Sequence, residues 1–158
     1  MKLFDGKVVI FTGEYSCCDM QKFKDSERKN NTFYKTYGTI DHFAPSVQIS
    51  ILKQVLQNGD ENILFGTNSM FVLEQLNIML ARYQFPENEP KGDNWFAISP
   101  DNLSIRLYQK DFSGEFEELV RQDEEGLMYV DTLYFADAME RLYGEYENTL
   151  EPYEDTEE

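Results

Sequence analysis

The sequence predicts an α/β domain: a parallel strand-helix-strand-helix core, an antiparallel β-hairpin and a C-terminal helix. Three observations carry this. The runs KVVIFT (7–12) and NILFG (62–66) are short, apolar and bounded by polar or turn residues, as buried strands are. Two segments, from Pro45 and from Thr67, place apolar residues at helical spacing. Leu103, Ile105 and Leu107 alternate with Ser104, Arg106 and Tyr108, the period of a half-buried strand.

Residues 7–12 form the first predicted strand. Residues 19–32, polar and mixed in charge, read as a loop or a short exposed helix. Residues 33–40 (FYKTYGTI) read as a second strand weakened by Gly38. Pro45 suits a helix start, where its missing N–H is no loss. Val47, Ile51, Leu52, Val55 and Leu56 supply the stripe, and Gly59 the stop. After strand 62–66, Thr67, Asn68 or Ser69 caps a helix with Val72, Leu76, Met79, Leu80 and Tyr83 on one face. This alternation predicts a right-handed parallel crossover. Residues 86–94 are a loop. Trp95–Ser99 and Leu103–Lys110, joined by Pro100-Asp101-Asn102, are predicted as the hairpin. Residues 111–125 are acidic, with room for a short helix. Asp131 then caps a helix with Leu133, Ala136, Met139, Leu142, Tyr143 and Tyr146 along one side.

A chain of 158 residues with 41% hydrophobic content bounds a single domain able to bury a core. The division is 1–146 for the α/β domain and 147–158 for an acidic tail, because residues 144–158 hold seven acids and no base. Net charge is −16 and unevenly placed. Residues 1–53 carry +2 and residues 54–158 carry −18. Such a surface repels phosphates at long range and attracts basic partners, though it also serves solubility. No apolar run approaches the roughly 18 residues of a membrane span, and no signal peptide is expected, since Asp5 and Lys7 interrupt the early apolar run. Cys17 and Cys18 are adjacent and lack another partner, so a cytoplasmic setting is expected.

The order of four stretches resembles the C-terminal part of ABC-type (SMC/RecF/OLD-like) AAA ATPases of bacteria and phages. FAPSVQISILKQVL is similar to that family's proline-glutamine helix, which follows an acidic Walker B strand. ILFGTNSMFVLEQLN is similar to its Thr-Thr-His-Ser-Pro-Tyr strand and helix. DNWFAISPDNLSIRLYQ is similar to its paired strands, and DEEGLMYVDTLYFADAMERLYGEY to its closing turn and helix. The match spans roughly two thirds of the chain and rests on order and spacing.

The resemblance also implies what is missing. Thr67 and Ser69 agree with the switch motif, but Asn68 stands at the histidine, Met70 at the proline and Phe71 at the tyrosine. An asparagine amide donates a hydrogen bond but cannot titrate. Counting back from Pro45, the Walker B acids fall on Tyr37 and Gly38, with Asp41 reachable only in a slipped register. The best P-loop candidate, FTGEYSCCDMQ, puts Cys18, Asp19 and Met20 where Gly-Lys-Ser/Thr is required. Asp19 there repels the phosphate that a lysine attracts. Only 24 residues separate Met20 from Pro45, too few for the intervening subdomain of a full ATPase.

Other constellations are weaker. His42, the single histidine, lies beside Asp41 as a general base would, but a polar helix-entry residue is the plainer reading. With no second histidine and no cysteine cluster, no zinc site is expected. Asp123-Glu124-Glu125 lacks the spaced ligands of a calcium loop. The expectation is therefore no catalytic residue, no metal and no cofactor, with Thr67, Asn68 and Ser69 serving mainly as a helix cap and as residual nucleotide-binding candidates. Tyr143, Tyr146, Glu147, Glu151, Tyr153, Glu154 and Asp155 form the candidate interaction surface, an acidic-aromatic set. Its expected partner is a protein with a basic surface, or an ATPase, and neither nucleic acid nor membrane. Three functions are expected in descending order: a non-catalytic interaction module, an acidic inhibitor imitating DNA, and a lobe that completes an ATPase site with another chain.

Overall fold

Residues Val8–Thr12 are buried without a break, which requires a strand covered on both faces. The computed structural model, which describes residues 2–57, 61–88, 96–109 and 115–150, places that strand, β2 (Val8–Gly13), at the centre of a five-stranded sheet. Its neighbours are β4 (Asn62–Gly66) and β6 (Leu103–Tyr108), both parallel to it. Beyond β4 lies β3 (Tyr34–Thr36), also parallel, and beyond β6 lies the antiparallel β7 (Phe116–Glu118). Helix α1 (Cys17–Lys29) connects β2 to β3, and α2 (Pro45–Leu56) connects β3 to β4. Helix α3 (Met70–Gln84) follows β4 on the way to β6.

The connection from β2 to β3 runs across the sheet in one direction, and those from β3 to β4 and from β4 to β6 run in the other. Right-handed crossovers then send α1 to one face and α2 and α3 to the opposite face. The packing agrees. Val8 and Ile10 join Leu52, Leu56, Leu73, Leu76 and Met79 in the large core, whereas Val9, Phe11 and Leu64 pack with Phe23 of α1. Alternate residues of one strand thus serve two cores.

Two expectations are corrected. Phe96–Ile98 (β5) and β6 do not form a hairpin. β5 pairs in parallel with β1 (Lys2–Phe4) in a separate two-stranded sheet, and β6 pairs in parallel with β2. The intervening Pro100–Asn102 forms one 3-10 turn, which redirects the chain without reversing it. The alternation of Leu103, Ile105 and Leu107 is equally satisfied by a parallel partner. Antiparallel pairing of consecutive strands comes later, between β6 and β7 and in the tight hairpin of β8 (Val120–Gln122) with β9 (Met128–Val130). Residues 115–125 contain strands instead of a short helix. There Glu118 Oε1 accepts the Ile105 and Val120 N–H groups at 2.9 and 3.2 Å, and Oε2 the Ser104 hydroxyl at 2.6 Å. Of the two readings of 19–32, loop or short exposed helix, the helix holds: residues 19–29 belong to α1, whose one buried side chain is Phe23. Ser16 and Asp19 form its capping box: the Ser16 hydroxyl accepts the Asp19 N–H, and the Asp19 carboxylate accepts the Ser16 N–H.

The hairpin docks on α3 through side chains that replace a neighbouring strand. Gln84 exchanges hydrogen bonds with the Met128 backbone, and Asn77 accepts the Val130 N–H at 2.9 Å. The last helix, α4 (Leu133–Leu150), starts beside the Asp131 carboxylate, which accepts the Leu133 N–H at 3.0 Å, and continues through residues 147–150. Gly59, Trp95, Lys110 and residues 151–158 lie outside the described residues, and among the described residues no helix is long and apolar enough to cross a membrane.

Candidate functional site

β2 and β4 are adjacent and parallel, and the chains leaving their C-terminal ends depart toward opposite faces. In open α/β sheets that arrangement leaves a crevice where ligands bind. Gly13–Ser16 line it from one side and Thr67–Ser69 from the other, with Asp41 arriving from the segment before α2.

In this protein the crevice is bridged by the protein's own polar groups. The Asn68 amide reaches from β4 to β2: its Oδ1 accepts the Gly13 N–H at 2.7 Å and the Thr12 hydroxyl at 3.1 Å, and its Nδ2 donates to the Gly13 carbonyl at 3.2 Å. The Asp41 carboxylate accepts the Thr67 hydroxyl on one oxygen and the Asn68 N–H, at 2.7 Å, on the other. The Thr67 hydroxyl in turn accepts the Ser69 N–H at 3.0 Å. Gln48, buried at the start of α2, accepts the Ser69 hydroxyl and donates to the Asp41 and Phe43 carbonyls.

Backbone geometry closes the crevice further. Gly13 has φ +81°, and a Cβ there would come within 2.4 Å of the Tyr108 carbonyl oxygen, so only glycine permits this exit from β2. The next N–H, of Glu14, donates to that same carbonyl at 2.7 Å. Only Glu14, Tyr15 and Ser16 separate β2 from α1, too short a connection for the Gly-x-x-x-x-Gly-Lys loop of a P-loop site. Tyr15 lies against Gly66 so closely that a Cβ on Gly66 would fall 2.4 Å from its ring.

The cap expectation is met by one residue of three. Ser69 is the N-cap of α3, accepting the Val72 N–H at 3.4 Å, whereas the Thr67 hydroxyl links Asp41 to the Ser69 N–H and the Asn68 amide reaches the end of β2. Local sequence pattern does not reveal Asp41 and Gln48 as members of the network, because the residues they bind lie 21 to 27 positions away. Tyr37 and Gly38 follow β3 directly, the Tyr37 N–H donating to the Leu64 carbonyl at 3.2 Å. His42 is exposed, its ring tilted against Phe43 with centroids 4.2 Å apart. Among the described residues, no three His, Cys, Asp or Glu side chains converge as metal ligands. Comparison with protein-family models, curated proteins and solved structures found no match.

Of the interaction candidates, Tyr143, Tyr146 and Glu147 are exposed on α4, while Glu151, Tyr153, Glu154 and Asp155 lie outside the described residues. Three tyrosines elsewhere are ionisation-resistant. Burial raises the pKa of Tyr15, with the negative charges of Asp41 and Cys17 adding to it. Burial likewise raises Tyr34 and Tyr108, partly opposed by Arg106. The folded state therefore holds these protons more tightly than the unfolded chain. Their contribution is intact below the ordinary tyrosine pKa of about 10 and is lost as pH rises through the higher folded values. Urea midpoints are expected to fall above about pH 10 and to fall less steeply in Tyr34→Phe/Tyr108→Phe; equal slopes would refute this.

Proposed function

We propose that this chain is a non-catalytic interaction module, an α/β lobe resembling part of an ABC-type ATPase whose ligand crevice is self-filled. The observation that carries the reading is the Asn68 amide, which uses both its oxygen and its nitrogen to join the ends of β2 and β4. A phosphate group would have to displace these bonds, and at the N-terminus of α1 it would meet the Asp19 carboxylate, which the Ser16–Asp19 box holds there. Phosphoryl transfer depends on positioned cations and a placed water. The positions the resemblance assigns to them hold Asp19, Tyr37 and Gly38. The resemblance rests on the sequence order of the proline-glutamine helix, the 63–77 strand and helix, and the closing turn and helix; the stretch read as paired strands does not pair with itself. The acidic C-terminal half supports a basic protein or an ATPase as partner.

Titration calorimetry with magnesium-ATP is expected to give no binding heat at millimolar nucleotide, and the pure chain no phosphate release. Micromolar binding abolished by Asn68→Ala would overturn the reading and favour a lobe that completes a site with another chain. Competition between duplex DNA and this chain for a basic partner would favour the DNA-imitating alternative.

A further inference from the structure

Helix α4 is eighteen residues long, and not one of them is buried. Isolated helices of this length are marginal in water, and a helix normally gains its stability from packing an apolar face. α4 has such a face. Ala136, Met139, Tyr143, Tyr146 and Leu150 recur at spacings of three and four, the seam of a two-helix coiled coil. Its larger members are 45–61% exposed. Phe135, half-buried against the core, anchors only the first turn.

The flanks of the seam indicate what covers it. Glu140 and Glu147 border it on one side, Leu142 and Thr149 on the other, and α4 carries four acids against the single base Arg141. A second copy fits poorly: antiparallel pairing sets glutamates against glutamates, parallel pairing offers them only Leu142 and Thr149, and each chain brings a charge of −16. An anionic membrane surface is repelled for the same reason. The geometry points to α4 as the docking helix for a basic amphipathic helix of another protein, with Lys or Arg beside its apolar seam. This rests on the interaction-module reading and names the partner class.

The test uses the full chain and a labelled synthetic four-heptad peptide with Leu at the seam positions and Lys on both flanks. Controls are a scrambled peptide of the same composition and one with Glu flanks. The seam peptide is expected to bind at least about tenfold more tightly than either control. Tyr143→Glu is expected to weaken it roughly thirtyfold, as loss of an aromatic anchor does. Glu140→Lys/Glu147→Lys is expected to reverse the preference toward the Glu-flanked peptide. Because no α4 side chain is buried, these variants should melt like the parent, and a matching melt shows that the change is local. Equal binding of the scrambled peptide, indifference to Tyr143→Glu, or no binding overturns the proposal. So does sedimentation showing a parent dimer that Tyr143→Glu dissociates, or stronger uptake by anionic vesicles than by the peptide. Magnesium-ATP binding would refute the non-catalytic reading while leaving the peptide selectivity standing, so the two failures are separable.

Discussion

Leu76→Ala is expected to destabilise the protein by about 2–5 kcal/mol, the range for removing a fully buried leucine without collapse of the cavity. Leu76 has no exposed surface and belongs to the large core, on a helix that packs against α2, β5 and β9 at once. Four elements meet there, so relaxation of any one is restrained by the others. For a chain of this size each kcal/mol shifts the melting temperature by about 2–4 °C, so a fall of roughly 4–20 °C should be seen by calorimetry. Leu142→Ala on α4, where the side chain is 58% exposed, is the control and should stay within about 0.5 kcal/mol. Loss of less than about 1 kcal/mol on Leu76→Ala would mean that the α3 packing is wrong.

Asp41→Ala carries the second large effect. It removes the acceptor of the fully buried Thr67 hydroxyl and of the Asn68 N–H. Hydrogen bonds to a charged group contribute about 1.5–3 kcal/mol each, and Asp41 is only half-buried, so about 3 kcal/mol for the pair is expected. Asp41→Asn retains one oxygen and should recover roughly half of that. Urea denaturation of the three proteins checks both values. Equal stability of Asp41→Ala and the parent would show that Asp41 does not hold the crevice shut.

The elements built on local periodicity are legible in the sequence alone. The β-branched run of β2, the stripe of α3 and the amphipathic face of α4 each follow from side chains a few residues apart. The capping box of α1 is also written in the chain as Ser16 and Asp19, although the polar composition of 19–32 obscures it. The candidate site is legible only in part. Thr67, Asn68 and Ser69 stand out because they sit between a strand and a helix. Their roles do not, since a hydroxyl or amide there can cap the helix or reach across to a neighbouring strand.

Pairing is what local pattern leaves open. Leu103, Ile105 and Leu107 alternate identically beside an antiparallel neighbour or a parallel one, and the choice of β2 as partner depends on a strand about 95 residues earlier. The union of β1 with β5 has the same character, as do the bonds from Asp41 to Thr67 and from Asn68 to Gly13, which span 26 and 55 positions. Side-chain period reports which face of an element is dry, because burial acts on each residue separately. Which element supplies the other half of each hydrogen bond is a property of the assembled sheet. For that reason the sequence shows a strand-helix junction with three polar residues, and the fold turns that junction into a closed crevice.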